Sequence, residues 1–291
     1  PRFVEAESNY ITTQFYTVAQ SPPSFSKDWV LGGTQDNGTY RMETPGATPS
    51  AGVDTDPGGD GAATFFDQVG GDYAISNYTY NDAITRLSFN GSGNYSNSYD
   101  ISNALSLPSN EGSFINPGAL DSNLDTYYSD GTSFNDTNYR IRVITNLTNT
   151  PPGTRVITGL SSRPTAFEVS PHTTDSSTLL VGTKDGNIIK ITDAETASSA
   201  SVILQKPGVG SISDIHFGET EDEIYVTYYN YGNTISNVFY TSTGGVSAGS
   251  WLDKEGDLPD IPVYSIQHNP FEEEEVIIGT ELGIWKTLNF T

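Results

Sequence analysis

Residues Pro262 to Leu288 read PVYSIQHNPFEEEEVIIGTELGIWKTL. An apolar run (Val263, Tyr264, Ile266) leads into an Asn-Pro turn. A β-branched run then ends in Gly279-Thr280, and Leu282-Gly283 turns the chain into a third run, Ile284 to Thr287. Short β-branched and aromatic runs bounded by turn residues predict three strands in succession, with no helix between them. The same order recurs in Thr165 to Ile191, TAFEVSPHTTDSSTLLVGTKDGNIIKI, and in Gln14 to Met42, QFYTVAQSPPSFSKDWVLGGTQDNGTYRM. Each copy carries a Gly-Thr pair (Gly33-Thr34, Gly182-Thr183) before a tight turn (Asp36-Asn37-Gly38, Asp185-Gly186). Gly33, Gly182 and Gly279 are spaced as three and then two units of about 48–50 residues, a period that suits the four-stranded blade of a β-propeller.

Working outward from these copies gives six blades and an all-β fold, with a seventh open if further chain adds one. Blade one runs from Thr13 to Met42 and is followed by a Pro/Gly-rich insertion, Thr44 to Gly61. Blade two takes Ala63 to Gln68, Tyr73 to Tyr80 and Ala83 to Phe89, with Asn90 to Asn97 read as a Gly/Ser/Asn-rich connection. Blade three is assembled from Gly112 to Ile115, Thr126 to Ser129, Tyr139 to Thr145 and Arg155 to Thr158. Blade four is the Thr165 copy completed by Ser201 to Gln205. Blade five takes Ser211 to Phe217, Glu223 to Tyr229, Ser236 to Ser242 and Ser250 to Lys254, and the opening stretch is blade six. Arg2 to Ala6 reads as a lone strand that would complete blade six and hide two sheet edges. Residues 1–291 are thus read as one propeller domain, cut from a larger precursor.

The composition narrows the function classes. With 36 acidic and 13 basic residues the formal charge is −23, which repels phosphate backbones and excludes nucleic acid as a natural partner. No apolar run has membrane-spanning length, so direct membrane insertion is not expected. There is no cysteine, hence no thiol or disulfide chemistry. An acidic chain rich in Gly, Ser, Thr, Asn and Tyr suits an extracellular protein. In a eukaryotic secretory pathway the sequons at Asn37, Asn77, Asn90, Asn94, Asn135, Asn146 and Asn289 would be glycan acceptors; in a bacterial one they are polar loop sequence.

Tyr240-Thr241-Ser242-Thr243-Gly244-Gly245, Ser250-Trp251, Asp257 to Val263 and Gly279 to Thr287 resemble the Asp-box (BNR) propellers, among them sialidases, xyloglucan-active glycosidases and sortilin-like ectodomains. Gln14-Phe15-Tyr16 with Gly33 to Gly38 and Gly58-Gly59-Asp60-Gly61 is similar to propellers of large bacterial surface proteins exported by the type IX route. The resemblance implies a secreted or cell-surface propeller. In such boxes a central Asp is expected where Ser242-Thr243-Gly244-Gly245 has none, and Trp251 is displaced. Sialidase chemistry would require three convergent arginines, whereas the chain has seven arginines in all and no Arg-Ile-Pro segment before the first repeat. The resemblance therefore implies binding or scaffolding of a polysaccharide, of a protein, or of other domains of the same precursor. Hydrolysis or lysis of an extracellular polysaccharide is the alternative.

In a propeller, the loops joining strands two and three share a face with the loops that lead into each new blade. Asp36 and Asn37 belong to the first kind of loop, and Asp54, Asp56 and Asp60 to the second, so they are expected to meet at the junction of blades one and two. Three closely spaced carboxylates are hard oxygen ligands for Ca²⁺; the competing reading is turn chemistry, in which Asp and Asn bind their own backbone. No other cofactor is expected. As an enzyme, the protein would draw its acid and base from Asp36 and Asp60. Tyrosines near strand ends (Tyr10, Tyr16, Tyr78, Tyr80, Tyr127, Tyr128, Tyr228, Tyr229, Tyr231) either stack on sugar rings or fill the wedge between blades. Within them, Tyr78 and Tyr80 join Asp36 and Asn37 as candidate ligand-binding residues. His172, His216 and His268 fall at matching places in blades four to six, without metal-ligand spacing, and read as structural. The run Glu272 to Glu275 reads as a solvated loop.

Overall fold

The computed structural model describes residues 14–42, 59–200, 202–204, 206–232, 236–247, 249–272 and 274–290. Among the described residues, six antiparallel sheets of three or four strands follow one another along the chain. Blade one holds β1 (Phe15–Gln20), β2 (Val30–Thr34) and β3 (Gly38–Met42); blade two holds β4 (Thr64–Phe66), β5 (Tyr73–Asn77), β6 (Ile84–Phe89) and β7 (Tyr95–Asp100). After a single helical turn, α1 (Ile101–Ala104), blade three holds β8 (Gly118–Asp121), β9 (Thr126–Asp130), β10 (Arg140–Thr145) and β11 (Gly153–Thr158). Blade four holds β12 (Pro164–Val169), β13 (Leu179–Thr183), β14 (Ile188–Ile191) and β15 (Val202–Ile203). Blade five holds β16 (Ser211–Phe217), β17 (Ile224–Tyr229), β18 (Val238–Thr241) and β19 (Leu252–Asp253), and blade six β20 (Val263–His268), β21 (Val276–Thr280) and β22 (Gly283–Thr287). The molecule is a β-propeller.

One buried apolar cluster joins each pair of successive blades from one to six. Both faces of a blade are covered, so its middle strands read as unbroken apolar runs; β13, Leu-Leu-Val-Gly-Thr, is buried throughout. Among the described residues no such cluster joins blade six to blade one, and Val18 and Ile284 stay exposed. The strand expected at Arg2 to Ala6 lies outside the described residues.

Two assignments need correction. The first strand of blade three is β8, Gly118–Asp121, not Gly112 to Ile115. That earlier segment is a turn held by the Asn116 side chain, which accepts from the Ser113 amide at 3.0 Å. Asn90 to Asn97 is not merely a connection, because β7 begins at Tyr95 and pairs along β6. As an outermost strand β7 has no buried face and is exposed along most of its length, so its sequence carries no apolar alternation.

The Gly-Thr repeat has a structural cause. The inner strands of blades one, four, five and six share a bulge, at Tyr16, Thr165, Ser213 and Tyr264, and Gly33, Gly182 and Gly279 pair with the residue just after it. At this level the next blade's inner strand crosses closely: a Cβ on Gly33 would overlap the Ala62 carbonyl, and one on Gly182 would strike Ile212. Hydroxyls at or beside the bulge cross to the next blade. Thr17 donates to the Ala62 carbonyl at 3.0 Å, Thr165 to Ile212 at 2.7 Å and Ser213 to Val263 at 2.6 Å.

Candidate functional site

The six inner strands β1, β4, β8, β12, β16 and β20 enclose a cavity of about 930 Å³, the central channel. Glu168 and Asp214 stand in its wall. His216 Nδ1 lies 3.4 Å from Glu168 Oε1, and its Nε2 is 3.0 Å from Gln267 of blade six. Burial pushes the Asp214 carboxyl up to about 7, and the Glu168 charge adds to this against the amides of Ile266 and Ile215. Burial opposes protonation of His216, yet its pKa is raised because the Glu168 carboxylate and then Asp214 outweigh that cost. Asp214 Oδ2 accepts from the Ile266 amide at 2.9 Å, a bond that ties blade five to blade six.

At the mouth where the loops joining second and third strands gather, Asp36 and Asp60 meet as the spacing predicts. The Asp36 amide donates to Asp60 Oδ1 at 3.1 Å, and Gly38 and Asp60 form a parallel bridge. Asp36 has φ 61°, a left-handed conformation that Asp tolerates. Asn37 Nδ2 donates to the Gln35 carbonyl at 2.9 Å. These are turn bonds that lock one loop onto the next blade. Tyr16, the bulge residue of β1, completes the group: its pKa is raised by burial and then by the charges of Asp60 and Asp36. Asp54 and Asp56 lie outside the described residues; among the described residues no three His, Asp or Glu side chains converge as metal ligands.

Tyr78 and Tyr80 are on the same face but do different work. Tyr78 packs over Gly59 beside the Asp60 loop. Tyr80 packs at a tilt on Phe134 at 4.5 Å and edge-to-face on Phe114 at 5.6 Å, and both phenylalanines are nearly half exposed. Beneath this trio is a polar core. Arg142 Nη2 bonds both Glu111 oxygens, at 2.6 and 2.7 Å, and Arg163 Nη1 pairs with Asp130 Oδ2 at 2.7 Å. Buried Asn81 donates to the Asp130 carbonyl and accepts from Asn116 and Ser129. Burial raises the Asp130 pKa despite Thr132 and Arg163. Here the arginines Arg140, Arg142 and Arg163 are matched to carboxylates, while Arg86 and Arg155 bond backbone carbonyls. None of these five is left to gather on a ligand carboxylate.

At the junction of blades five and six the same face carries three tyrosines around one carboxylate. Tyr229 ends β17, Tyr231 follows it, and Tyr264 is the bulge residue of β20; they are 43, 59 and 44% exposed. The ring of Tyr229 is 6.3 Å from Tyr231 at 83° and 5.5 Å from Tyr264. Glu281, in the turn between β21 and β22, accepts on Oε1 from the Tyr231 hydroxyl at 2.5 Å and from the Tyr264 hydroxyl at 3.3 Å. The bond to Glu281 raises the Tyr231 pKa, and burial, with Tyr229 and Glu281 adding, pushes Tyr264 up to about 12. Both hydroxyls are donors at any physiological pH.

Sequence reasoning named Tyr229 and Tyr231 without their partners. Glu281 occupies the position after Gly-Thr that holds Gln35 and Lys184 in the other copies, so a loop position on the face that changes chemistry from blade to blade was the available signal. Tyr264 matches Tyr16 at the bulge, and a bulge re-aims a side chain out of the strand's alternation. The three histidines bridge blades as structural residues: His172 contacts the Gly218 carbonyl at 2.9 Å, His216 spans Glu168 and Gln267, and buried His268 stacks on Tyr225 at 5.6 Å. In the acidic run, Glu275 bonds Asn269 at 2.6 Å and pairs with Lys286 at 3.0 Å. The turn at Ser242 to Gly245 packs Gly245 against Trp251 without the central Asp.

No protein-family model matches the chain, and no curated protein does. Among solved structures it is similar to a chain of a mitotic checkpoint complex, with a TM-score of 0.61 and 12% identity over 96% of this chain and 81% of that one. Likeness at that identity concerns the fold. The fold is that of a β-propeller, and what such a fold does is set by the sites it carries.

Proposed function

We propose that this is a non-catalytic binding propeller of an exported or cell-surface bacterial protein, and that its ligand is a polysaccharide lying across the loop face. The observation that carries this is the surface of Tyr229, Tyr231 and Tyr264, which stay roughly half exposed at the loop-face rim of the blade five and six junction instead of being buried in it. Aromatic faces stack on pyranose rings, and a shallow site suits a chain that extends beyond it. The Tyr80, Phe114 and Phe134 trio gives a second point of contact on the same face. Acidic composition and the Asp-box and type IX resemblance support the exported setting. The decisive experiment incubates the domain with algal, plant and bacterial polysaccharides and scores retained binding and new reducing ends. Binding that Tyr229→Ala abolishes without a change in circular dichroism supports the proposal; no binding across the panel overturns it and favours a protein ligand.

The hydrolase reading has one observation in its favour, and it is not the pair first expected. The Asp60 carboxylate accepts the Asp36 amide, whereas Glu168 and Asp214 share the channel wall with the Asp214 carboxyl held near neutrality. New reducing ends lost in Asp214→Asn would establish that reading.

A further inference from the structure

We propose that the Tyr229, Tyr231, Tyr264 and Glu281 cluster selects a sugar bearing a free amine, as in a glucosamine polymer, over neutral or uronate sugars. This rests on the carbohydrate reading above and adds the ligand's charge. Three tyrosine faces border the cluster, two of them nearly perpendicular, and an aromatic face attracts a cation through its quadrupole. Glu281 adds a formal negative charge, and both tyrosine hydroxyls whose partners are fixed donate to it. Those two hydroxyls are therefore engaged and not free to donate to a ligand carboxylate. Asp260, whose Oδ1 takes the Gly232 amide at 2.7 Å, places a second carboxylate one residue along from Tyr231. Among the described residues no lysine, arginine or histidine pairs with Glu281 or Asp260. The formal charge of the whole chain, −23, has the same sign as this local charge. A neutral pyranose would stack on these rings and offer the carboxylate only uncharged hydroxyl donors, weaker than an ammonium, and a uronate would be repelled by it.

The test compares two oligosaccharides with the same backbone: the hexamer of glucosamine, below the pKa of its amine, and the hexamer of N-acetylglucosamine. Calorimetric titration is run at about 0.15 M salt, where the diffuse field of the surplus acids is screened beyond about 8 Å. The wild-type domain is expected to favour the glucosamine hexamer by about tenfold, the size of a strong cation–π and carboxylate contact. Glu281→Gln, which keeps an acceptor for both tyrosines, removes that preference, and Tyr229→Ala weakens both ligands. Equal affinity for the two hexamers, still sensitive to Tyr229→Ala, overturns the amine proposal and leaves the carbohydrate reading standing. Binding of neither hexamer overturns the proposal, and the wider panel then decides the carbohydrate reading separately. A lysine peptide of matching charge that binds as tightly, and as dependently on Glu281, also overturns it in favour of a protein cation.

Discussion

Blades one, four, five and six are joined to their neighbours differently from blades two and three. In the first group the inner strand is bulged, and in blades one and four the glycine of the Gly-Thr pair faces a close crossing of the next blade. In blades two and three the inner strands β4 and β8 pair without a bulge, and their junction is instead held by Glu111, Asp130, Asn81 and three arginines. The first device is local, since a bulge and a small residue on adjacent strands leave a mark in every copy. The second is assembled from side chains tens of residues apart, and it leaves no periodic mark. Only the first reads as a repeat.

Breaking each device separates them by size. Arg163→Ala strands Asp130, whose side chain is fully buried, and is expected to cost about 3–5 kcal/mol in urea denaturation. Adding Asp130→Asn should recover a large part of that loss, because no charge is then left buried; a double variant as unstable as the single one would mean that the pair acts through packing alone.

Gly33→Ala and Gly182→Ala follow, at about 1–3 kcal/mol each, because the new methyl meets the next blade's inner strand. Gly279→Ala meets only Ser265 of its own blade and is expected to cost less than about 1 kcal/mol. Thermal melts of the three variants test this order, and equal shifts would show that the close crossing is not what selects glycine. Thr227 in blade five occupies the corresponding place and bonds Ser213 at 2.9 Å, so a side chain is accepted where the bulge hydroxyl receives it.

The smallest effect is one of pH. The folded-state pKa of Asp214 is raised to about 7, above the value near 3.9 expected of an unfolded chain. The folded protein therefore binds the proton more tightly. This contribution to stability is full below about pH 4 and is lost as pH rises toward 7. Asp214 is partly, not fully, buried in the channel wall, so solvent screening holds the effect to about 1 kcal/mol. Asp214→Asn, which keeps an acceptor for the Ile266 amide, should flatten that part of the stability profile relative to wild type. An unchanged slope would assign it to other groups.

The misread first strand of blade three shows where local pattern misleads. Phe114 and Ile115 look like a strand beginning, but Asn116 turns the segment back and Phe114 is delivered to Tyr80. Asp36 and Asp60 were legible because each sits in a loop whose place follows from the blade count. Their roles were not, since the same residues serve a turn or a ligand depending on whether a backbone amide reaches them. At the blade five and six junction the signal was half present: Tyr229 and Tyr231 are adjacent in sequence, whereas Tyr231 and Glu281 are 50 residues apart, about one repeat.

The sequence by itself determined the class of fold and the face on which variable loops gather. Strand period, turn residues and the Gly-Thr pair act between neighbours along the chain or across one hairpin, and they repeat. Tertiary structure alone decided which carboxylate meets which tyrosine, why Asp214 holds its proton near neutrality, and where the arginines are matched. Those outcomes depend on burial and on distances between side chains of different blades, and neither is fixed until the blades pack around the channel.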